Sequence, residues 1–100
     1  MRSLRYSDVS AAARVLLITP PAFRAQVCLG MIREAEYADR FAKRLGKLHP
    51  KWGNGTLLAT ARRRRLGREP SFSDPEYCAC FQQVLATLHG PLSSVGCKNN

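Results

Sequence analysis

The sequence has no apolar run that approaches the 18 or more residues of a membrane-spanning helix. Its first segment, MRSLRYSDVSAAARVLL, superficially looks like a secretory signal peptide. Asp8 and Arg14 interrupt what would be the apolar part of such a signal, so we interpret the segment as part of the fold. An Arg- and Ser-rich organelle-targeting peptide is the weaker alternative. With neither a signal nor a span, the sequence predicts a cytoplasmic protein without a membrane partner.

The common enzyme signatures are also missing: there is no GxGxxG, GxxxxGK[ST], HExxH or GxSxG. Four cysteines and two histidines permit a Cys-dependent enzyme in principle, but no local motif supports one. Cys78 and Cys80 would point about 200° apart on a helix, so they cannot hold one metal ion together. We therefore predict that the protein is not an enzyme and has no cofactor, metal or small-molecule substrate. Without a signal peptide, the cysteines are expected to be free thiols.

Strand alternation is absent, and β-branched residues are few while Ala, Leu and Arg are many, which favours helices. One hundred residues correspond to one domain. Apolar periodicity predicts helices at 8–18, 21–45 and 56–66, and a fourth from Ser73 to the Gly90-Pro91 pair. The predicted fold is all-α. It is a single small domain (residues 1–90) of three to four helices packed on a long second helix, followed by a flexible C-terminal tail (residues 91–100).

Local signals mark the predicted helix ends. The starts are assigned to side chains that can cap a helix: Ser7, Thr19, Asn54 or Thr56, and Ser73 in a capping box with Glu76. Phe72 and Tyr77 fit a hydrophobic staple around the last of these caps. The stops of the second and third helices are assigned to Gly46 and Gly67. The inward-facing stripes are predicted to include Phe23 and Leu45 in the second helix and Leu85 in the fourth.

Acidic residues are missing from one stretch, Arg40 to Arg68, which nevertheless holds ten of the 16 Lys and Arg residues. The rest of the chain has six cations against seven acids, so the net charge of +9 comes from this stretch. A charge concentrated in this way indicates a binding site for an anionic partner. Arg62 to Arg65 would point in four directions on a helix, so at least one must turn toward the core and the others form a collar.

The only tryptophan, Trp52, lies in the loop HPKWGNG between two predicted helices. It can be a lid on a small core or a docking and stacking anchor flanked by Lys47 and Lys51. His49 is expected to make a structural hydrogen bond rather than to bind phosphate. The candidate partner-binding residues are those of the basic stretch that could share one surface: Lys43, Arg44, Lys47, Lys51, Trp52, Arg62, Arg63, Arg64, Arg65 and Arg68.

From the charge alone, the anionic partner could be a nucleic acid, an acidic protein surface or membrane phosphate. Arginine outnumbers lysine seven to three in the stretch, which favours forked contacts to phosphate or carboxylate. A helix-turn-helix is disfavoured, because the gap from Gly46 to Gly55 is longer than the turn of that motif. No zinc-finger spacing and no aromatic-rich RNA-binding motif is present.

Three segments carry a family resemblance: RYSDVSAAARVLL, LHPKWGNGTLLATARRRR and FSDPEYCACFQQVL. The chain resembles, over about residues 5–88, a family of small alphaproteobacterial proteins of gene-transfer-agent and prophage-like head gene clusters. HPKWGNGTL and DPEYCACF are the most specific parts. The family has no established activity or catalytic residues to transfer. The resemblance implies a bacterial setting in which virus-like particles package host DNA.

Two function hypotheses follow from the residues and this resemblance. The first is a small basic accessory protein of phage-like particle assembly or DNA packaging that binds an acidic particle protein through residues 40–68. The alternative is a non-enzymatic regulator that binds DNA or RNA with the same basic surface.

Overall fold

A computed structural model describes the backbone of residues 4–96 and the side chains of residues 4–89. It has four α-helices: α1 (Tyr6–Leu17), α2 (Arg24–Leu45), α3 (Leu57–Arg62) and α4 (Pro75–Gly96). A short 3-10 turn, Pro21–Phe23, leads into α2. Within residues 4–96 there is no strand, only an isolated bridge between His49 and Gly53. The predicted all-α domain is confirmed, and none of its described helices is long and apolar enough to cross a membrane.

α1 is the buried centre of the domain. It contacts each of the other three α-helices, as α2 also does. Eight of its 12 residues are buried, including the continuous run from Asp8 to Ala13. A helix buried on nearly all sides lies inside the packing rather than on its surface. The long α2 therefore contacts every helix, as the sequence predicted, but the core forms around α1.

The core joins α1 to one face of each other helix. Its largest fully buried side chains are Tyr77, Leu16, Met31, Leu57 and Val84. Cys28, Cys78 and Cys80 are free thiols, as predicted, whereas Cys97 lies outside the described residues. Burial raises the pKa of the Cys28 and Cys80 thiols, which makes both sulfurs poor nucleophiles.

α1 begins earlier than predicted and without Ser7 as its cap. Arg5 is the N-cap, and its backbone N–H donates to the carboxylate of Asp8 at 2.8 Å. The other carboxylate oxygen of Asp8 accepts the backbone N–H of Leu58 at 2.9 Å. One buried carboxylate thus satisfies N–H groups at the starts of both α1 and α3.

Thr19 does not cap α2 as the sequence predicted, and Arg24 makes the hydrogen bonds of the α1–α2 connection instead. The hydroxyl of Thr19 donates backward to the carbonyl of Val15 at 2.7 Å, so it is not available to α2. Arg24 donates to three carbonyl oxygens at the end of α1, those of Leu16, Leu17 and Thr19. A cation at this position also suits the negative end of the α1 dipole.

α3 has the predicted cap but is shorter than expected. The hydroxyl of Thr56 accepts the backbone N–H of Ala59 at 3.1 Å. The helix ends at Arg62, before the predicted stop at Gly67. Gly67 instead exchanges hydrogen bonds with Arg14: its N–H donates to the Arg14 carbonyl, and its carbonyl accepts from Arg14 Nε at 2.8 Å. These bonds to α1 are incompatible with a helix that continues to Gly67. The residues next to Gly67 in sequence contain no signal that predicts them.

The start of α4 is capped by Asp74 and not by Ser73. Asp74 Oδ1 accepts the N–H groups of Glu76 (2.9 Å) and Tyr77 (3.3 Å). The next residue, Pro75, occupies the first helical position, where a missing N–H costs nothing. The Phe72 and Tyr77 rings pack 5.4 Å apart, so the predicted staple contact forms around the corrected cap.

The predicted end of α4 at Gly90-Pro91 is wrong, because the helix continues to Gly96. Proline holds φ in the helical range, so a helix can pass through it at the loss of one backbone hydrogen bond. Residues 97–100 of the predicted flexible tail lie outside the described residues.

Three predicted core positions are exposed: Phe23, Leu45 and Leu85. Phe23 immediately precedes α2, and Leu45 is its last residue. The 22 residues of α2 span about 33 Å, whereas the 12 of α1 span about 18 Å. α2 is therefore longer than its packing partner, and its C-terminal part is left with an uncovered apolar side.

Candidate anion-binding surface

The loop between α2 and α3 closes on itself through His49. The backbone N–H and C=O of His49 both pair with Gly53 at 3.0 Å. Nδ1 of His49 accepts the backbone N–H groups of Lys51 and Trp52, each at 3.0 Å. This confirms the structural hydrogen bond expected of His49. The ring, acting as an acceptor at Nδ1, shapes the loop.

Four rings attach this loop to α2. Trp52 stacks on His49 with centroids 4.8 Å apart and planes 10° from parallel. Tyr37 of α2 meets Trp52 edge-on at 5.4 Å, and Phe41 of α2 meets His49 at 4.7 Å. Trp52 is half-buried and lies outside the main core. It therefore covers a small satellite cluster on α2 and keeps part of its surface in solvent.

Next to these rings, two adjoining cavities of about 300 and 460 Å³ share Tyr37 and Arg40. We call this region the α2 groove and define it by Tyr37, Arg40, Phe41, Arg44, Leu45 and Trp52. Tyr37 and Leu45 are about half exposed, at 49% and 53%. The groove thus combines partly exposed apolar and aromatic side chains with two arginines one helical turn apart. Its second cavity is also lined by Arg33, Glu34 and Glu36.

Two cations of the basic stretch are already paired within the chain. Lys43 contacts the buried carboxylate of Asp39 at 3.0 Å, and this ammonium lowers the pKa of Asp39. Arg64 makes two parallel contacts of 2.8 Å to Glu34 of α2. Arg64 is also the half-buried member of the arginine run, and it is thus the residue that turns inward.

The arginines at the end of α3 and after it do not line the α2 groove. Arg62 lines a different cleft of about 330 Å³, together with Arg14 and Glu69. Arg68 borders another cavity, next to Glu69 and Asp74. Arg63 and Arg65 are exposed and border none of these cavities. The structure therefore divides the ten candidate residues. Arg44 and Trp52 belong to the α2 groove, and Lys51 Nζ lies 5.7 Å from the Trp52 centroid. Lys47 is exposed in the loop after α2, and Lys43 and Arg64 are paired. The remaining four do not line the groove: Arg62, Arg63, Arg65 and Arg68.

The cleft beside Arg62 holds a hydrogen-bond network centred on Glu69. Its carboxylate accepts the Tyr6 hydroxyl at 2.6 Å and the Ser10 hydroxyl at 3.2 Å. These bonds lower the pKa of Glu69, with the Tyr6 contact as the main cause, and the same contact raises the pKa of Tyr6 to about 12. Ser10 also bonds the buried Tyr77 hydroxyl at 2.9 Å. The network joins the segment after α3 to α1 and α4.

Comparison with known proteins identifies the family. A family model described as a domain of unknown function, DUF7742, matches residues 2–88. The chain belongs to this family. No curated protein and no solved structure was found to match it.

Sequence reasoning missed part of the groove of this DUF7742 protein. Tyr37, Arg40 and Phe41 were not among the candidate residues, although they share one face of α2 with Arg44 at the spacing i, i+3, i+4 and i+7. That spacing was the available signal. The buried stripe of α2 was enough to predict the helix, so the sequence offered no reason to look for a second face with exposed rings.

Proposed function

We propose that this protein is a non-enzymatic accessory protein of phage-like particle assembly or DNA packaging, of the gene-transfer-agent type, and that it acts in the bacterial cytoplasm. It binds an acidic partner through the α2 groove, at one end of the basic stretch. The particle setting is supported by the sequence resemblance and the binding mode by the groove.

The observation that carries the proposal is the placement of Arg40 and Arg44. Both are exposed and line the groove next to Tyr37 and Phe41. Among the described residues neither is paired with a carboxylate, whereas Arg24, Lys43 and Arg64 are. Two guanidinium groups beside apolar rings are suited to bidentate contacts with carboxylates.

The test replaces Arg40 and Arg44 together with Gln in the producing bacterium. Gln is nearly as good a helix former as Arg, and surface changes of this kind usually alter stability by less than about 0.5 kcal/mol. We expect a normal helical circular dichroism spectrum and a loss of nuclease-protected DNA in released particles. The matched control is Arg63→Gln with Arg65→Gln, which removes the same charge outside the groove. Particle yields that are equal for the groove variant and wild type would contradict the proposal.

The alternative is a regulator that binds DNA or RNA. Its support is the exposed set of arginines after α3, including Arg63, Arg65 and Arg68. Binding to duplex DNA should then weaken with log[salt] at a slope of about −0.9 per phosphate contact, and the Arg63 and Arg65 double variant should lower that slope. A protein partner with an apolar contact centre should respond much less to salt.

A further inference from the structure

Resting on the proposed function, we infer that the occupant of the α2 groove is a segment of a different protein that carries both carboxylates and an apolar anchor, and not a nucleic acid. Three properties of the groove support this occupant: its exposed aliphatic surface, the orientation of its rings and the spacing of its cations. The state of the chain's own acids then bears on whether the occupant is a second copy.

The first property is exposed aliphatic surface around the cations. Leu45, which lines the first cavity beside Arg40 and Arg44, is 53% exposed, and Leu48, in the loop after α2, is 61% exposed. Phosphate and sugar give no partner to such side chains. Protein interfaces, in contrast, combine tyrosine, tryptophan and arginine with a desolvated apolar centre. The cavity bounded by Phe41 and Leu45 can receive an apolar side chain from a partner.

The second property is the orientation of the rings. A nucleic-acid base stacks on the open face of an aromatic ring. One face of Trp52 is covered by His49, and Lys51 Nζ lies 5.7 Å from the Trp52 centroid. Tyr37 and Phe41 meet these loop rings edge-on or steeply tilted. These ring contacts hold the loop on α2, and the Trp52 face that lies on His49 is not available to a base.

The third property is the spacing of the cations. Arg40 and Arg44 are four residues apart on α2, which places their Cα atoms about 6 Å apart along the axis. Carboxylates at i and i+4 of a helix, or at i and i+2 of an extended strand, repeat at about 6–7 Å. A protein segment laid along α2 can therefore meet both arginines at once while an apolar residue enters the cavity.

The chain's own acids favour a different protein over a second copy as the partner. All seven Asp and Glu residues lie in the described part of the chain. Six of them already bond within the chain: Asp8, Glu34, Asp39, Glu69, Asp74 and Glu76. Glu36 is the one acid of the described residues without such a bond, so a second copy could offer the two arginines only one carboxylate that has no internal partner.

The experiment selects random 16-residue peptides displayed on phage against the wild-type protein. Counter-selection uses a variant carrying Arg40→Gln and Arg44→Gln. Selected peptides and a 20-nucleotide oligo-dT are then compared by fluorescence anisotropy. We expect enriched peptides to contain at least two acids and an apolar residue. They should bind wild type about ten-fold or more tighter than the double variant or Leu45→Ser, while Arg63→Gln with Arg65→Gln changes little.

The other outcomes overturn the inference, and they separate its failure from that of the proposed function. If oligo-dT binds more tightly than any peptide and its binding requires Arg40 and Arg44, the groove still binds an anionic partner. That result would refute a protein segment as the occupant. Enriched peptides without acids, or peptides that bind the double variant as well as wild type, would also refute it. If neither peptides nor oligo-dT depend on the groove arginines, the inference and the proposed binding site both fail.

Discussion

Gly55→Ala should destabilise the protein at the point where the basic loop rests on α2. Gly55 is buried and has φ of +87°, in the left-handed region. A Cβ atom built there would lie 2.7 Å from Cα and Cβ of Asp39 and 2.9 Å from its backbone nitrogen. These atoms belong to the body of α2, so they cannot move aside as the end of a flexible side chain could.

Gly46 provides a matched control for the conformational part of this cost. It also has positive φ, at +71°, but a Cβ atom there would meet nothing within 4 Å. The left-handed conformation alone costs a non-glycine residue about 1–2 kcal/mol, which is the loss we expect for Gly46→Ala. Forcing a methyl group into a packed contact adds about 1–3 kcal/mol. Gly55→Ala should therefore lose about 2–5 kcal/mol of the free energy of unfolding.

Urea unfolding followed by two signals measures both the size and the place of the effect. Circular dichroism at 222 nm reports the helices, and the fluorescence of Trp52, the only tryptophan, reports the loop cluster. Gly55→Ala should change Trp52 emission even without urea, because Tyr37 and His49 would lose their fixed positions around it. Gly46→Ala should leave the native emission nearly unchanged. Equal losses of stability in the two variants would refute the close approach of the loop to α2.

Two further predictions test the helix cap and the Glu69 network. Asp74→Ala should cost about 1 kcal/mol by removing the cap of α4, whereas Ser73→Ala should stay within about 0.5 kcal/mol; equal urea midpoints for the two would contradict the assigned cap. The pKa of Glu69 in the folded protein is lowered below its ordinary value of 4.5. The ionised Glu69 carboxylate therefore contributes fully to the free energy of unfolding above pH 4.5, and this contribution is lost as the pH falls through the folded-state pKa. The stability difference between wild type and Tyr6→Phe, measured by urea unfolding, should therefore shrink on acidification; a difference that stays constant or grows would rule out the Tyr6–Glu69 bond as its source.

Features that depend on neighbouring residues could be predicted from the sequence. Helical periodicity and propensity act over a few turns, so the all-α class and the existence of four helices could be read directly. The cap at Thr56 and the left-handed stop at Gly46 are likewise local, and both are found. The same holds for the charge of the basic stretch, which is a property of composition.

Where two adjacent residues could serve the same role, local rules were not sufficient. Ser73 and Asp74 are both good caps, and the sequence reading chose Ser73 for its capping box with Glu76. In the structure the side chain of Asp74 takes the N–H groups of Glu76 and Tyr77, and Glu76 pairs with Arg24 at 2.7 Å. A partner 52 residues away thus removes Glu76 from the predicted box.

Which members of the basic stretch remain available to a partner depends on long-range packing that the sequence does not reveal. Asp8 reaches Leu58 and Arg64 reaches Glu34 across separations of 50 and 30 residues, and Gly67 is fixed to Arg14 across 53. These contacts direct the chain on either side of α3 toward different parts of the domain. Charges that are continuous in sequence are therefore divided in space, because side-chain pairing at long range depends on how whole helices pack and not on the order of the residues.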